Sequence, residues 1–358
     1  MRIAVVIPVY NRASMVLEAV ASVLANRRKP DVLVVVDDGS TDATGDAVAA
    51  TFERSAEDDR LGANEGSAAV GFAAVGSAAD AAGEAGPGRT CDRTEVPRIL
   101  LRTANRGVGA ARKAGLAAAV AAIGGIDAVA FLDSDDLWPP CFLGRAEAAL
   151  AARPDATVAL ADRSTSDARH QTTLVDDLSA FAAAPLLWIA RHGAGIGSCA
   201  LVRAEAAAAA LSLPDSEAPT GQDIPFFAEL ARRGAVLRLE GPPVVMRRNH
   251  ATPSGEHRHL NQRYDDAALR WAGLVGTACA AALRGPYDEA SRDELRDAVA
   301  GRWISAAKDC ARRRRFDDGR ECLRRARSLG GPAWRILKIE IGLLARRGWS
   351  KLGPGRTA

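Results

Sequence analysis

Two acidic clusters each close a short apolar run: VVVDDGSTD at 34–42 and FLDSDD at 131–136. In an open α/β sheet, ligands bind in the crevice beyond the carboxyl ends of the strands. Two such endings would gather Asp37, Asp38, Asp133, Asp135 and Asp136 around one cleft. Hard oxygen ligands without Cys or His suit Mg²⁺ or Mn²⁺, the usual companions of a diphosphate. The residue types therefore point to a divalent metal and a nucleotide diphosphate.

Such side chains need strands to carry them. Residues 2–9 read as a buried strand, 15–26 as a helix with Ser14 as N-cap, 32–36 as a strand, with a helix from near Asp42. This βαβα opening argues for a mostly parallel sheet flanked by helices, an α/β fold of Rossmann-like type. From about 55 to 97 the chain is Ala, Gly, Ser, Asp and Glu with no persistent period, which reads as a disordered insertion, with a lid as the alternative. Strand 98–102, a helix opening at Asn105-Arg106-Gly107, strand 127–132, helix 140–152 and strand 156–161 follow. A glycine-rich turn and strand at 193–203, a helix at 221–234, and strands at 235–239 and 244–248 complete a first domain, 1–255.

The remainder, 256–358, reads as an all-helical region, with a helix pair at 293–314 and 317–328 and a last helix from Pro332. Trp334, Leu337, Ile341 and Leu344 share one face of that last helix, beside Arg335, Lys338, Arg346 and Arg347. Packing on its own domain and peripheral contact with a membrane both fit such a stripe.

Net charge is only +3, and the arginine-rich C-terminal run reads as a solvated helix face, so nucleic acid is not implied. Six scattered cysteines with no C-x-x-C pair indicate neither zinc nor a disulfide framework, and reduced thiols suit a cytoplasmic protein. The opening MRIAVVIPVYN is a strand rather than a signal peptide, and no window reaches the ~18–20 apolar residues of a membrane span.

VVIPVYNR at 5–12, VVVDDGSTD at 34–42, NRGVGAARKAG at 105–115 and FLDSDDLWPP at 131–140 occur in the order seen in family-2 inverting glycosyltransferases of the GT-A fold. GQD at 221–223 and RRNH at 247–250 resemble two weaker downstream elements of that family. The resemblance covers about residues 1–255 outside the insertion. It implies a sugar moved from a nucleotide-diphosphate donor to an acceptor hydroxyl in one in-line displacement.

Asp37 matches the family residue that accepts a hydrogen bond from the base. An ionised carboxylate is acceptor-only, which suits the N3–H of uracil or thymine and favours a UDP or dTDP donor. Asp38 belongs to the same motif. Pro8, Tyr10 and Arg12 would flank base and ribose. By resemblance Asp135 ligates the metal, Asp133 reaches the ribose or shares the metal, and Ser134 lies on the donor between them. Asp136 orients the others or caps the turn. Asn105, Gly107 and Arg112 sit at a helix start that suits an anionic donor. Asp223 stands where the family has its catalytic base, with Gln222 replacing the usual preceding Glu. His250 falls where some relatives supply a late metal ligand.

Three other readings are open to test. A catalytically silent sugar-nucleotide-binding or scaffolding protein would keep the fold and lose carboxylates first. An oxidoreductase or a nucleotidyltransferase would need a glycine-rich loop where IPVYNR stands. The acceptor, whether glycan, lipid-linked, peptide or small molecule, is not written in the chain.

Overall fold

The computed structural model describes residues 1–62, 96–166, 172–218, 220–247, 266–284 and 289–351. One mixed sheet of nine strands organises the N-terminal part. Its first strands, β1 (Ile3–Val9) and β2 (Val32–Asp37), are buried along their whole length. Runs of Val and Ile with no polar alternation are what a strand covered by helices on both faces requires.

β1 pairs in parallel with β2 on one side and with β4 (Ala128–Phe131) on the other, and β3 (Arg98–Arg102) extends the parallel set beyond β2. The carboxyl ends of these four strands therefore lie along one edge. Helix α1 (Ala13–Leu24) follows β1, α2 (Thr44–Gly62) follows β2, and α3 (Val108–Ile123) follows β3. α3 lies close on the sheet: a Cβ on Gly115 would come 2.4 Å from Val6 Cγ1 and 3.0 Å from Val36 Cγ2.

Beyond β4 the sheet turns antiparallel through β8 (Ala200–Arg203) to β6 (Ala156–Ser166). β6 pairs in parallel with β9 (Ala235–Arg247) and antiparallel with β7 (Thr172–Asp176). The two strands expected at 235–239 and 244–248 are one strand with an excursion. Leu239 is opposite Ala161 and Val244 opposite Arg163, and Gly241 between them has φ 110°. A two-residue strand, β5 (Asp136–Leu137), pairs with Met246 and Val245 of β9 and ends the sheet. It lies inside the acidic motif, where the sequence suggests only a turn.

Helices α4 (Phe142–Ala152), α5 (Ser179–Ala183), α6 (Pro185–His192), α7 (Ala204–Leu211) and α8 (Asp223–Arg233) cover the sheet. α5, α6 and α7 span only five to eight residues, too short for periodicity to reveal. Ser14 is not the cap of α1: Arg12 holds that position, without a side-chain capping bond. α2 reaches Gly62, further than the composition suggests, while the rest of the 55–97 stretch up to residue 95 lies outside the described residues.

Helices α9 (Ala267–Arg284), α10 (Glu289–Arg312), α11 (Phe316–Ser328) and α12 (Ala333–Lys351) form the expected helical region. α9 packs on α6 and α8, and α10 on α6, so Leu274, Val275 and Trp303 join one hydrophobic core with the sheet. The expected boundary near 255 falls outside the described residues. α12 buries Ile336, Ile339 and Leu343, whereas Trp334, Leu337 and Ile341 are exposed. The stripe that the sequence singles out is thus not the packing face.

Candidate active site

The site begins with the way β1 and β2 end. Asn11 has φ 52°, an uncommon backbone conformation for a residue with a Cβ, and local hydrogen bonds hold it there. Its amide donates to Ser40 Oγ at 3.0 Å, and its side-chain oxygen accepts from the Thr41 amide at 2.8 Å. The Arg12 amide donates to Thr44 Oγ1 at 2.9 Å. The two loops are thereby fastened together, and they set Tyr10, 41% exposed, at the mouth of the cleft. Pro8 is buried within β1 and only supports this edge.

Asp37 and Asp38 are both buried but occupied differently. Asp37 Oδ1 accepts the Ser40 amide at 2.9 Å. A Cβ on Gly45 would lie 2.4 Å from Asp37 Oδ2 and 3.1 Å from Arg102 Cζ, so glycine there lets the start of α2 pack closely against that carboxylate and the Arg102 guanidinium. Asp38 instead accepts the amides of Arg106 and Gly107 at 2.9 and 2.8 Å. Gly107 is the N-cap of α3, with φ 90°. The helix start expected to face an anionic donor thus receives the chain's own carboxylate, and Asp38 acts as a clamp on the 105–107 loop. Asn105 is exposed beside Gly39.

The acidic motif after β4 alternates strictly. Ser134 and Asp136 are each 3% exposed, while the side chains of Asp133 and Asp135 keep 36% and 18% of their surface. Ser134, expected on the donor, points inward, and so does Asp136. Asp136 accepts from Ser198 Oγ at 2.5 Å and from the Arg247 amide at 3.3 Å. Burial first, then the charges of Asp135 and Asp133, hold the Asp136 carboxyl well above the usual carboxylate range.

Two residues without an assigned role in the sequence reading lock this loop. Ser198 Oγ accepts the Asp133 amide at 3.0 Å, and its carbonyl accepts Trp138 Nε1 at 2.7 Å. Arg247, 6% exposed, donates Nε to the Asp135 carbonyl at 2.5 Å and also reaches Glu18 and the Met15 carbonyl. The glycine-rich GAGIGS turn was the available signal for Ser198. For Arg247 the signal was its place at the head of RRNH.

Arg112 joins the motif to the distant GQD segment. Its side chain is 4% exposed; Nη2 lies 2.9 Å from Asp133 Oδ1 and Nη1 lies 2.5 Å from Asp223 Oδ1. Burial works against the guanidinium charge, but Asp223 and Asp133 outweigh it and raise its pKa. Asp133 is raised too, through burial and then the charges of Asp223 and Asp135, with Arg112 opposing. Arg12 pairs with Asp135, Nη1 to Oδ2 at 2.6 Å. Arg12 and Arg112, both expected on the donor, therefore neutralise the two outward carboxylates.

Asp223 opens α8 and is 17% exposed. Gly221 before it has φ 78°, a left-handed conformation that favours glycine. Phe226, one turn further, packs edge-on against Phe131 at 5.9 Å and ties α8 to the end of β4. Among the described residues no three carboxylates, thiols or imidazoles converge as a metal cage. Asp133 and Asp135 still suit a Mg²⁺ or Mn²⁺ ion of the kind held by one or two carboxylates plus substrate phosphates. His250 lies outside the described residues.

A parallel β1–β2–β4 edge carrying this acidic cleft defines a class, and sequence comparison agrees. The profile of glycosyl transferase family 2 matches residues 4–69 and 91–209, and the chain belongs to that family. Its fold is of the GT-A type. An uncharacterised glycosyltransferase of Nostoc sp. is 30% identical over 145 residues, which are 40% of this chain and 31% of that protein. The chain thus spans about a third of the length of this relative.

Among solved structures, S. aureus TarS 1-349 in complex with UDP-GlcNAc matches with TM-score 0.59 at 15% identity, over 100% of this chain and 93% of that one. The mannosyltransferase PcManGT from Pyrobaculum calidifontis, in complex with GDP-Man and Mn²⁺, matches with TM-score 0.50 at 18% identity, over 98% and 83%. At these identities the likeness concerns the fold. Among the described residues no helix is long and apolar enough to cross a membrane.

Proposed function

We propose that the protein transfers a sugar from a nucleotide-diphosphate donor to an acceptor hydroxyl by a single inverting displacement. The observation that carries this reading is Arg112, which holds Asp133 of the acidic motif and Asp223 of the GQD segment on one guanidinium. The expected donor and base elements, far apart in sequence, are adjacent. Asp37, whose ionised carboxylate is acceptor-only, receives the N3–H of a uracil or thymine base. Tyr10 covers the base and ribose. Asp133 and Asp135 would hold a divalent metal together with the diphosphate.

When bound, the metal supplies Lewis-acid stabilisation of the departing diphosphate oxygens. Asp223 accepts the proton of the attacking hydroxyl, with Arg112 as its counter-charge. Such base assistance is worth about 10²–10⁴ in rate. Asp223→Asn should therefore keep donor affinity while turnover falls by that factor. NMR of the product should show an anomeric configuration opposite to the donor's; a retained configuration refutes the mechanism. Asp135→Ala should remove the Mn²⁺-dependent part of UDP binding, whereas Asp37→Ala should weaken UDP binding with or without metal. Identical effects of the two changes contradict these roles. A silent binding protein would show no turnover in the wild type with any donor.

We also propose that α12 rests on an anionic membrane surface. Trp334, Leu337 and Ile341 are 65, 57 and 59% exposed and recur at helical spacing, with Arg335 and Lys338 beside them. An apolar stripe with basic flanks suits a headgroup layer. In a second copy of the chain the same cations would meet like charge. Co-sedimentation with phosphatidylglycerol-containing vesicles should exceed that with phosphatidylcholine vesicles and fall on Leu337→Glu. Equal binding by the variant overturns this.

A further inference from the structure

The helical region C-terminal to the sheet reaches back to the loop that presents Asp223. Trp271, on the first turns of α9, donates its indole Nε1–H to Thr220 Oγ1 at 3.2 Å. Thr220 is 3% exposed, so this hydroxyl is held inside the protein. Gly221, next in the chain, meets the same ring. A Cβ there would stand 2.8 Å from Trp271 Nε1, 2.9 Å from its Cδ1 and 3.1 Å from Leu274 Cδ1. Real Cβ atoms do not approach so closely, and φ 78° independently favours glycine at this position.

The other edge of the indole lies against a second loop. A Cβ on Gly193 would come 3.7 Å from Trp271 Cζ3, and Gly193 ends α6 with φ 83°. One aromatic ring thus fills the space between the turn after α6 and the turn before α8. The Ile224 amide closes the second turn onto the Gly221 carbonyl at 2.9 Å, which fixes where Asp223 enters the helix. Gln222, at the N-cap of α8, makes no side-chain capping bond, and the Trp271 contact and this backbone bond both help to order the turn.

We propose that Trp271 is a positioning residue for Asp223: α9 holds the Thr220–Gly221 turn at the depth where the Asp223 carboxylate meets both Arg112 and the acceptor hydroxyl. This rests on the reading of Asp223 as the base. The helical region is then part of the transferase machinery. The effective geometry of a base is demanding, since a displacement of about 1 Å can cost roughly a hundredfold in rate. The hydrogen bond and the ring packing are separable by substitution.

The test uses the full chain with Mn²⁺ and UDP-sugar donors, comparing Thr220→Val, Thr220→Ser and Trp271→Phe with the wild type. Thr220→Val removes the hydroxyl and keeps the bulk, Trp271→Phe removes the donor together with the ring edge that meets Gly221, and Thr220→Ser keeps the hydroxyl. The expected result is a fall in kcat of about 3- to 30-fold in the first two, with KM for donor and UDP affinity unchanged, and near-normal kcat in Thr220→Ser. Combined with Asp223→Asn, Trp271→Phe should add no further loss, because it acts through that carboxylate. Equal kcat in all three variants overturns the proposal, as does a loss that multiplies with that of Asp223→Asn. Near-normal turnover of Asp223→Asn alone instead removes the base reading and this proposal with it. A loss of turnover in Asp223→Asn with none in Thr220→Val and Trp271→Phe removes only the proposal. Matching changes in UDP affinity and kcat would show a merely structural role and also overturn it.

Discussion

Replacing Arg112 by Met tests the electrostatic centre of the site, because the new side chain retains the length and loses the charge. Both Nη bonds disappear, to Asp133 at 2.9 Å and to Asp223 at 2.5 Å, in a place where Arg112 itself is only 4% exposed. Two carboxylates are left facing each other without a cation. Removing one partner from a buried ion pair typically costs about 3–5 kcal/mol, through the charge left uncompensated. Asp133 keeps a third of its surface in water, so the lower half of that range applies.

At about 2.1 cal/mol/K of unfolding entropy per residue, a chain of 358 residues loses roughly 1.3 °C in Tm per kcal/mol, so the expected shift is about 4–5 °C. Thermal unfolding without metal, at neutral pH, measures it. Arg112→Lys should recover only part, since one ammonium cannot span both carboxylates. Arg112 Nε is buried with no hydrogen-bond partner among the described residues, so the two Nη bonds carry the interaction. Adding Asp133→Asn to Arg112→Met should restore about 1 kcal/mol or more by removing one of the repelling charges. A shift under 2 °C for Arg112→Met, or a double variant that simply adds the two losses, would refute the reasoning.

Three further outcomes follow from separate features. Gly109→Ala should lose about 1–3 kcal/mol in thermal unfolding, because its Cβ would stand 2.0 Å from the Ser216 carbonyl oxygen in the turn at Pro214–Glu217. Burial raises the Glu147 carboxyl, but Arg28 and the N-terminal amine outweigh it and hold it below the usual range. Because its folded pKa is depressed, its stabilisation is present above the unfolded value of 4.5 and is lost as pH falls through the folded one. Glu147→Gln should cost roughly 1 kcal/mol at pH 7, a difference that vanishes in acid; a difference constant with pH contradicts it. Replacing residues 63–95 by a short Gly/Ser linker should leave soluble expression and the UDP-induced rise in Tm intact, since closure entropy changes slowly with loop length. Loss of soluble protein would show that the segment packs.

Much of the frame was legible because hydrophobic period and turn residues are local. The unbroken Val/Ile runs of β1 and β2, the Gly107 helix start and the Gly234 stop of α8 each sit within a few residues of their cause. The alternation in FLDSDD was not legible, since Asp136 was expected in the cleft and Ser134 on the donor; which half of the motif faces the cleft depends on the loop's partners. Ser198, in the short turn before β8, and Arg247, at the end of β9, turn Asp136 inward, leaving Asp133 and Asp135 outward.

The residue types of this chain by themselves determined its family, its α/β order and the acidic nature of its site. The tertiary structure alone decided how the charges are shared. Asp38 is used up on the amides of 106 and 107, Arg12 faces Asp135, and Arg112 unites Asp133 with Asp223. It also decided which face of α12 is exposed and that Trp271 lies against Gly221. Periodicity records which residues share a face of one element. Which charge meets which is set by how separate elements dock, and a buried carboxylate takes whichever donor the packing brings within reach.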